Sequence, residues 1–437
     1  MYLFPKRCSS QDAQFVSGNP VSADDVVFSL SRVIVLNGDM AWLLKQFGIT
    51  EASIVKIDDD TVQIGLQKQY APGVFFACLA HAVASILDQE LVLEHEENGD
   101  LGQSWLKDHS AGSGRFIVAE REQGKETILT ANPYYSKKVA PIQKVIVKNI
   151  EEPIEQAVSL EQGEIDIAWD LQPDDVMRME SDPQLQTFSA PLFQLRYVAM
   201  NMTHPPFDKP EVRDAVRYSI DYDGIMEYIL QGIGTKIQTI IPQGVFGYNP
   251  AMPYQLDLAK AKQLLQDAGY PNGFEVEFIC LNHSPWLDMA MKIKSDLANV
   301  GIQVTVNPLD YSQMVKKVMS REYQMFLLRW GFDYVDPDAV AKPFVHCDSD
   351  GEDATVKILA WVTHYCDRER SKFVEDAAQE LDTAKREEMY RQITNEVLDN
   401  GPYAILDVPQ KLFAVRQDIK DLISMPSLLS NEFPVLK

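Results

Sequence analysis

Apolar positions recur at two periods along this chain, and the switches between the periods mark its elements. Over 20–34 (PVSADDVVFSLSRVI), Val26, Val27, Leu30 and Ile34 form a helical stripe. Ser22 precedes it as an N-cap, and Asp24 and Asp25 fall in the first turn, where the helix dipole favours negative charge. Alternation in SIVKI and TVQIGL around an Asp-rich turn predicts a hairpin over 49–68. A second hairpin is predicted over 115–133, turning at Gln123-Gly124. The apolar run at 73–87, GVFFACLAHAVASIL, predicts a buried helix.

Further along, KVIVKNI (144–150), the helical PIEQAVSLEQG closed by Gly163, and IDIAWD (165–170) make a strand–helix–strand unit, the usual source of parallel pairing. QLRYVAMNM (194–202) predicts a strand, and 210–230 an amphipathic helical stretch ended by Gly232. From 237 a second block begins. It holds a helix over 257–270, a strand over 274–282, a helix over 286–301, a strand over 302–309, a helix over 311–323 and a strand over 324–330. A long helix over 382–401 and two strands in PYAILDVPQKLFAV (402–415) complete it. This alternation predicts an α/β fold. At 437 residues the chain exceeds what one core usually serves, so two or three domains are expected. It has no internal repeats and no low-complexity linker.

Composition narrows the function. Hydrophobic residues make up 46% and charged residues 24%, an ordinary globular balance. The 64 Asp plus Glu against 40 Lys plus Arg give a formal net charge of -24. Such a surface repels nucleic-acid phosphates and anionic lipid heads, so neither is an expected partner. No apolar stretch approaches the roughly 20 residues of a membrane helix. MYLFPKRCSSQ at the front holds no apolar run of about 7–15 residues, so no signal peptide is visible and Cys8 is not read as a lipoprotein cysteine. The five cysteines, Cys8, Cys78, Cys280, Cys347 and Cys366, form no C-x-x-C. G-x-S-x-G, H-E-x-x-H, a Walker A loop and G-x-G-x-x-G are all missing. AGSGRF (111–116) has small residues but lacks the lysine of a phosphate loop. No catalytic residue and no cofactor is predicted.

Seven phrases resemble, in family order, the motifs of the bacterial extracellular solute-binding proteins of family 5, which serve dipeptide, oligopeptide and nickel importers. They are FVSGNPVSADDVVFSLSRV (15–33), HSAGSGRF (109–116), ANPYYSKK (131–138), LEQGEIDIA (160–168), YVAMNMTHPPFDKPEVRDAVRYSIDYDGI (197–225), YQLDLAKAKQLLQDAGYPNGFEVEF (254–278) and LLRWGFDYVDPDA (327–339). The resemblance covers nearly the whole chain. At the front it implies an export signal and the first strands of one lobe, which MYLFPKRCSSQ does not match. A misplaced start and a truncated copy are the two readings.

The resemblance implies a type II periplasmic-binding-protein fold, with two α/β lobes around a ligand cleft. It implies an extra subdomain of lobe I at 1–142, incomplete at its N-terminus, the core of lobe I at 143–236 with 413–437, and lobe II at 237–412. In peptide-binding members, the aspartate corresponding to Asp333 captures the ligand's α-ammonium, because a buried ammonium must be paired. Read alone, Asp333 could equally cap a helix or turn before Asp336-Pro337. Trp330 and Tyr334 are expected to wall the pocket. His283 and Trp286 are expected to line it from the loop after 274–282, which lacks the arginine that some dipeptide-type members use there for the carboxylate. Asn201 and Arg213 are expected to be structural.

Cys347 and Cys366 correspond to a cysteine pair that dipeptide-type members often carry. A disulfide between them would contribute ~3 kcal/mol and fit an oxidising compartment. Free thiols, or a metal cluster of His346, Cys347, His364 and Cys366 whose spacing matches no standard finger, are the alternatives. The resemblance further implies a monomer in the periplasm, a peptide or peptide-like ligand, and an inner-membrane ABC permease as partner. A nickel chelate, haem, opine or oligosaccharide ligand is the alternative within the family, and a non-functional truncated copy is another.

Overall fold

A computed structural model of the chain describes residues 13–135 and 142–419, and the backbone of 2–4, 422–423 and 435–436. The chain divides into two units, Met1–Glu152 and Pro153–Lys437.

In the first unit the helix Ala23–Leu36 starts at Ser22, as its sequence predicts. Asp25 N donates to the Ser22 hydroxyl, and the Asp25 carboxylate accepts from Ser22 N at 2.8 Å, closing a capping box. The other Asp25 oxygen accepts from Gln89 N at 2.9 Å, so this buried carboxylate also ties in a distant segment. Ile54–Asp58 pairs antiparallel with Thr61–Ile64. Phe116–Glu122, Glu126–Ala131 and Lys144–Lys148 form an antiparallel three-stranded sheet.

Two expectations fail here for physical reasons. The helix predicted over 73–87 stops at Leu79, because the His81 ring accepts from Val83 N at 3.1 Å and starts a separate turn. Lys144–Lys148 does not enter a parallel pair. Lys144, Ile146 and Lys148 are exposed, whereas parallel strands are covered on both faces.

In the second unit, nine of the described strands build its two larger sheets, here β1 (Ile167–Ala168), β2 (Leu185–Pro191), β3 (Gln194–Met200), β4 (Thr235–Lys236), β5 (Glu275–Leu281), β6 (Gln303–Leu309), β7 (Met325–Gly331), β8 (Tyr403–Val408) and β9 (Gln410–Arg416). They form a small sheet in the order β1-β9-β2 and a six-stranded sheet in the order β4-β8-β3-β7-β5-β6. β5, β6 and β7 run parallel, as the strand–helix–strand pattern predicts, and β3 runs antiparallel between β7 and β8. Phe278, Ile279, Cys280, Phe326 and Leu327 are fully buried, as expected for central strands covered by helices. In the small sheet, Leu412 and Ala414 pack on the helices Pro153–Glu161 and Pro173–Met179 through Ala157, Leu160, Val176 and Met179.

The helical stretch predicted over 210–230 breaks after Ser219. Ile220 turns extended, and the Asp221 carboxylate accepts from Gly224 N at 2.9 Å to start a new turn. The two strands of 402–415 part into different sheets. Pro409 between them has no amide hydrogen, and its carbonyl accepts from Leu192 N at 2.9 Å. The chain thus crosses between the sheets twice, side by side, at 191–194 and at 408–410. β3, expected with 143–236, hydrogen-bonds into the sheet of the 237–412 strands.

Candidate ligand-binding site

Strand direction singles out one edge. β5, β6, β7 and β8 end there and β3 begins there; in the small sheet β1 and β2 end and β9 begins at the same crossovers. Ligands of open α/β sheets bind beyond the carboxyl ends of the strands, where the topology switches. The crossover edge meets that description.

At the end of β7, Trp330 pairs with Leu195 and Gly331 with Gln194. Trp330 is partly buried, and its indole N–H donates to the Ala339 carbonyl at 3.2 Å. Asp333, two residues past the strand, is also partly buried. The other two aspartates of the turn are buried and bound. Asp336 accepts from Asp338 N at 2.9 Å and from Arg386 at 2.7 Å, and burial pushes its carboxyl above the usual carboxylate range against the pull of Arg386. Asp338 accepts from the Tyr334 hydroxyl at 2.7 Å. Tyr334 is 1% exposed, so its side chain belongs to the interior and not to a pocket wall.

The second predicted pair leaves the neighbouring strand β5, whose Phe278 and Ile279 pair with Met325 and Phe326 of β7. His283 is exposed, with Nδ1 2.9 Å from the Ser284 carbonyl oxygen. Trp286 begins the helix Trp286–Ala298 and is buried, because the turn at Pro285 directs it inward. The sheet therefore brings Trp330, Asp333 and His283 to one edge and takes Tyr334 and Trp286 into the core.

Sequence reasoning misses two charged features beside the crossovers. Arg196 on β3 donates from Nε to Asp407 Oδ1 at 2.8 Å and from Nη2 to Oδ2 at 2.5 Å. Both residues are buried, and burial pushes the Asp407 carboxyl up. The signal was present, since QLRYVAM and AILDV each carry one charge inside an apolar run. The other feature is Lys411, which follows the second crossover on β9 with Trp169 beside it. Nothing in PQKLFAV distinguishes that lysine from a solvated one.

Cys347 and Cys366 are joined by a disulfide, 19 residues apart, with their Cα atoms 4.6 Å apart. His346 Nε2 lies 3.0 Å from Glu375 and His364 Nδ1 2.9 Å from Asp350, so each ring faces a carboxylate. The disulfide takes both sulfurs out of the alternative metal cluster. Asn201 and Arg213 do structural work. Asn201 donates to the Arg321 and Tyr323 carbonyls at 3.2 and 3.0 Å, and Arg213 to those of Phe207 and Asn400 at 2.9 and 3.0 Å.

Comparison with known proteins gives the family and the fold. The family model described as bacterial extracellular solute-binding proteins, family 5 Middle, matches residues 10–352. The probable D,D-dipeptide-binding periplasmic protein DdpA of Escherichia coli K12 is 27% identical over 419 residues, 95% of this chain and 78% of the relative. Heme-binding protein A of Haemophilus influenzae is 28% identical over 347 residues, 76% of this chain and 63% of that protein. Among solved structures, the ABC transporter-associated periplasmic binding protein DppA from Helicobacter pylori in complex with peptide STSA superposes with a TM-score of 0.74 at 25% identity, covering 94% of this chain and 81% of that one. The fold class is the α/β class of the type II periplasmic binding proteins.

Proposed function

We infer that this chain, which belongs to the bacterial extracellular solute-binding proteins of family 5, captures a peptide at the crossover edge and hands it to an ABC permease. Asp333 carries the reading. It stands at the carboxyl end of a central parallel strand, and it is partly exposed while Asp336 and Asp338 of the same turn are buried. An ammonium entering this edge is desolvated, and a carboxylate at hydrogen-bond range offsets that cost. Trp330 and His283 would flank the ligand, from β7 and from the loop after β5. The dipeptide named for one relative and the peptide bound in one superposed structure support the ligand class.

Ligand binding would draw the two sheets together about the paired crossovers at 191–194 and 408–410, and the permease would read the closed form. The disulfide fits the periplasm. Among the described residues no helix is long and apolar enough to cross a membrane. A second reading, a non-peptide solute, draws on the heme-binding relative and on the absence of arginine from the loop 282–286.

Native mass spectrometry of protein purified without refolding tests both. A co-purifying peptide that Asp333→Ala fails to retain supports the first reading. A bound non-peptide solute replaces it with the second. An apo protein that no peptide library stabilises overturns the peptide reading.

A further inference from the structure

We propose that Lys411 binds the carboxylate of the captured solute, with Trp169 supporting its side chain. The inference rests on reading the crossover edge as the ligand site, and it supplies the anion contact that the loop 282–286 lacks. Lys411 is the second residue of β9, directly after the Pro409 crossover. Its neighbours Trp169 and Asp170 follow the end of β1 at the same edge of the small sheet.

The lysine is poorly compensated where it stands. Its side chain is 15% exposed, and its Nζ lies 3.9 Å from the carboxylate of Asp170, which is 62% exposed. Among the described residues no acceptor lies within hydrogen-bond distance of Nζ. A carboxylate so far into solvent returns little of what burial costs an ammonium. Burial accordingly lowers the ammonium's pKa below the ordinary lysine value despite Asp170. Desolvation offset only weakly by a distant, solvated carboxylate suits a cation that takes an anion from the ligand.

The surroundings are built to hold it. Lys411, Phe413 and Val415 alternate onto one face of β9, away from the face that packs on the helices. There the Phe413 ring lies 5.1 Å from Phe188 and 5.1 Å from Trp169, and Nζ is 5.7 Å from the centre of the Trp169 ring. Two other cations of the edge, Arg196 and Arg329, are engaged. Both arms of Arg196 grip Asp407, and Arg329 donates to the Gln194 side chain at 3.3 Å. Asp333 issues from the six-stranded sheet and Lys411 from the small one. A solute with both an ammonium and a carboxylate would therefore tie the two sheets together, and only in their closed arrangement.

Calorimetric titration with a set of di- to tetrapeptides, each as the free acid and as the C-terminal amide, tests this. Wild-type protein should prefer the free acids by about tenfold or more, the usual scale of a charge-assisted contact. Lys411→Gln should lose that preference while keeping its affinity for the amides, and Lys411→Arg should restore it. Wild-type protein that binds acids and amides alike overturns the assignment of Lys411 and leaves the peptide reading standing. Equal losses for both forms in Lys411→Gln also overturn it, since that marks a structural role. Wild-type protein that binds neither form overturns the peptide reading and the Lys411 assignment with it.

Discussion

Arg196 and Asp407 show what a single buried pair asks of its neighbours. Asp407 is 0% exposed, and a carboxylate there is tolerable only with the guanidinium fork closed on it. The fit reaches a third residue. Gly234 has φ +133°, and a Cβ at that position would lie 2.6 Å from Asp407 Oδ2, so only glycine lets the carboxylate stay. Asp407→Ala leaves Arg196 buried and unpaired, and the expected loss is about 3–5 kcal/mol in urea unfolding. Replacing both partners together, Arg196→Met with Asp407→Leu, should recover most of that loss. A double variant no more stable than Asp407→Ala would mean that lost packing, and not an orphaned charge, sets the cost. The same dependence on a distant partner holds in the segment DYVDPD (333–338). Asp333, Asp336 and Asp338 look alike in the sequence, but Arg386, which engages Asp336, lies fifty residues downstream. Nothing local could separate the structural aspartates from the candidate ligand anchor.

The loop closed by Cys347 and Cys366 is an element held by one covalent bond and by charges at the other end of the sheet. Arg321, just before β7, donates from Nη1 to the Asp350 carbonyl at 2.8 Å and lies over the Trp361 ring at 4.3 Å. The loop therefore sits at the amino edge of β7, away from Asp333 and Lys411. Replacing both cysteines by serine should lower unfolding stability by ~3 kcal/mol, the chain-entropy value for a loop of this length. Ligand affinity should stay within error of wild type. A large loss of affinity in a folded double variant would show that the loop reaches the site.

Elements of this size were legible where one periodicity ran unbroken. The capped helix after Ser22 and the run from β5 to β7 stand as their patterns predict. Elements failed where a side chain outcompeted the helix for a backbone amide, as His81 and Asp221 do, or where pairing depended on distant partners. Lys144–Lys148 and the parting of β8 from β9 at Pro409 are of that second kind. Of the proposed site, the motif resemblance suggested Trp330, Asp333 and His283 together with Tyr334 and Trp286. Burial then withdrew Tyr334 and Trp286, because whether a side chain after a strand turns outward or inward is decided by packing that the local sequence does not encode.

Across the whole chain, the unit Pro153–Lys437 carries every residue assigned here to the ligand, and it carries both crossovers. A ligand that bridges Asp333 and Lys411 joins the two sheets beside the segments 191–194 and 408–410, through which the chain passes from one to the other. Binding should therefore slow backbone exchange at those segments, at 282–286 and at 330–335, before it affects the loop 347–366. Ligand at a hundredfold excess over its Kd stabilises the bound form by about 2.7 kcal/mol, enough to slow exchange through unfolding of this unit by about a hundredfold. Hydrogen exchange with mass spectrometry reads both effects. In the Met1–Glu152 unit, the sheet of Phe116–Glu122, Glu126–Ala131 and Lys144–Lys148 should exchange as it does without ligand, because none of its residues enters the proposed contacts. Protection that spreads evenly through both units, with no excess at the crossovers, would mean that the ligand acts on global stability alone and that the two sheets do not close about 191–194 and 408–410.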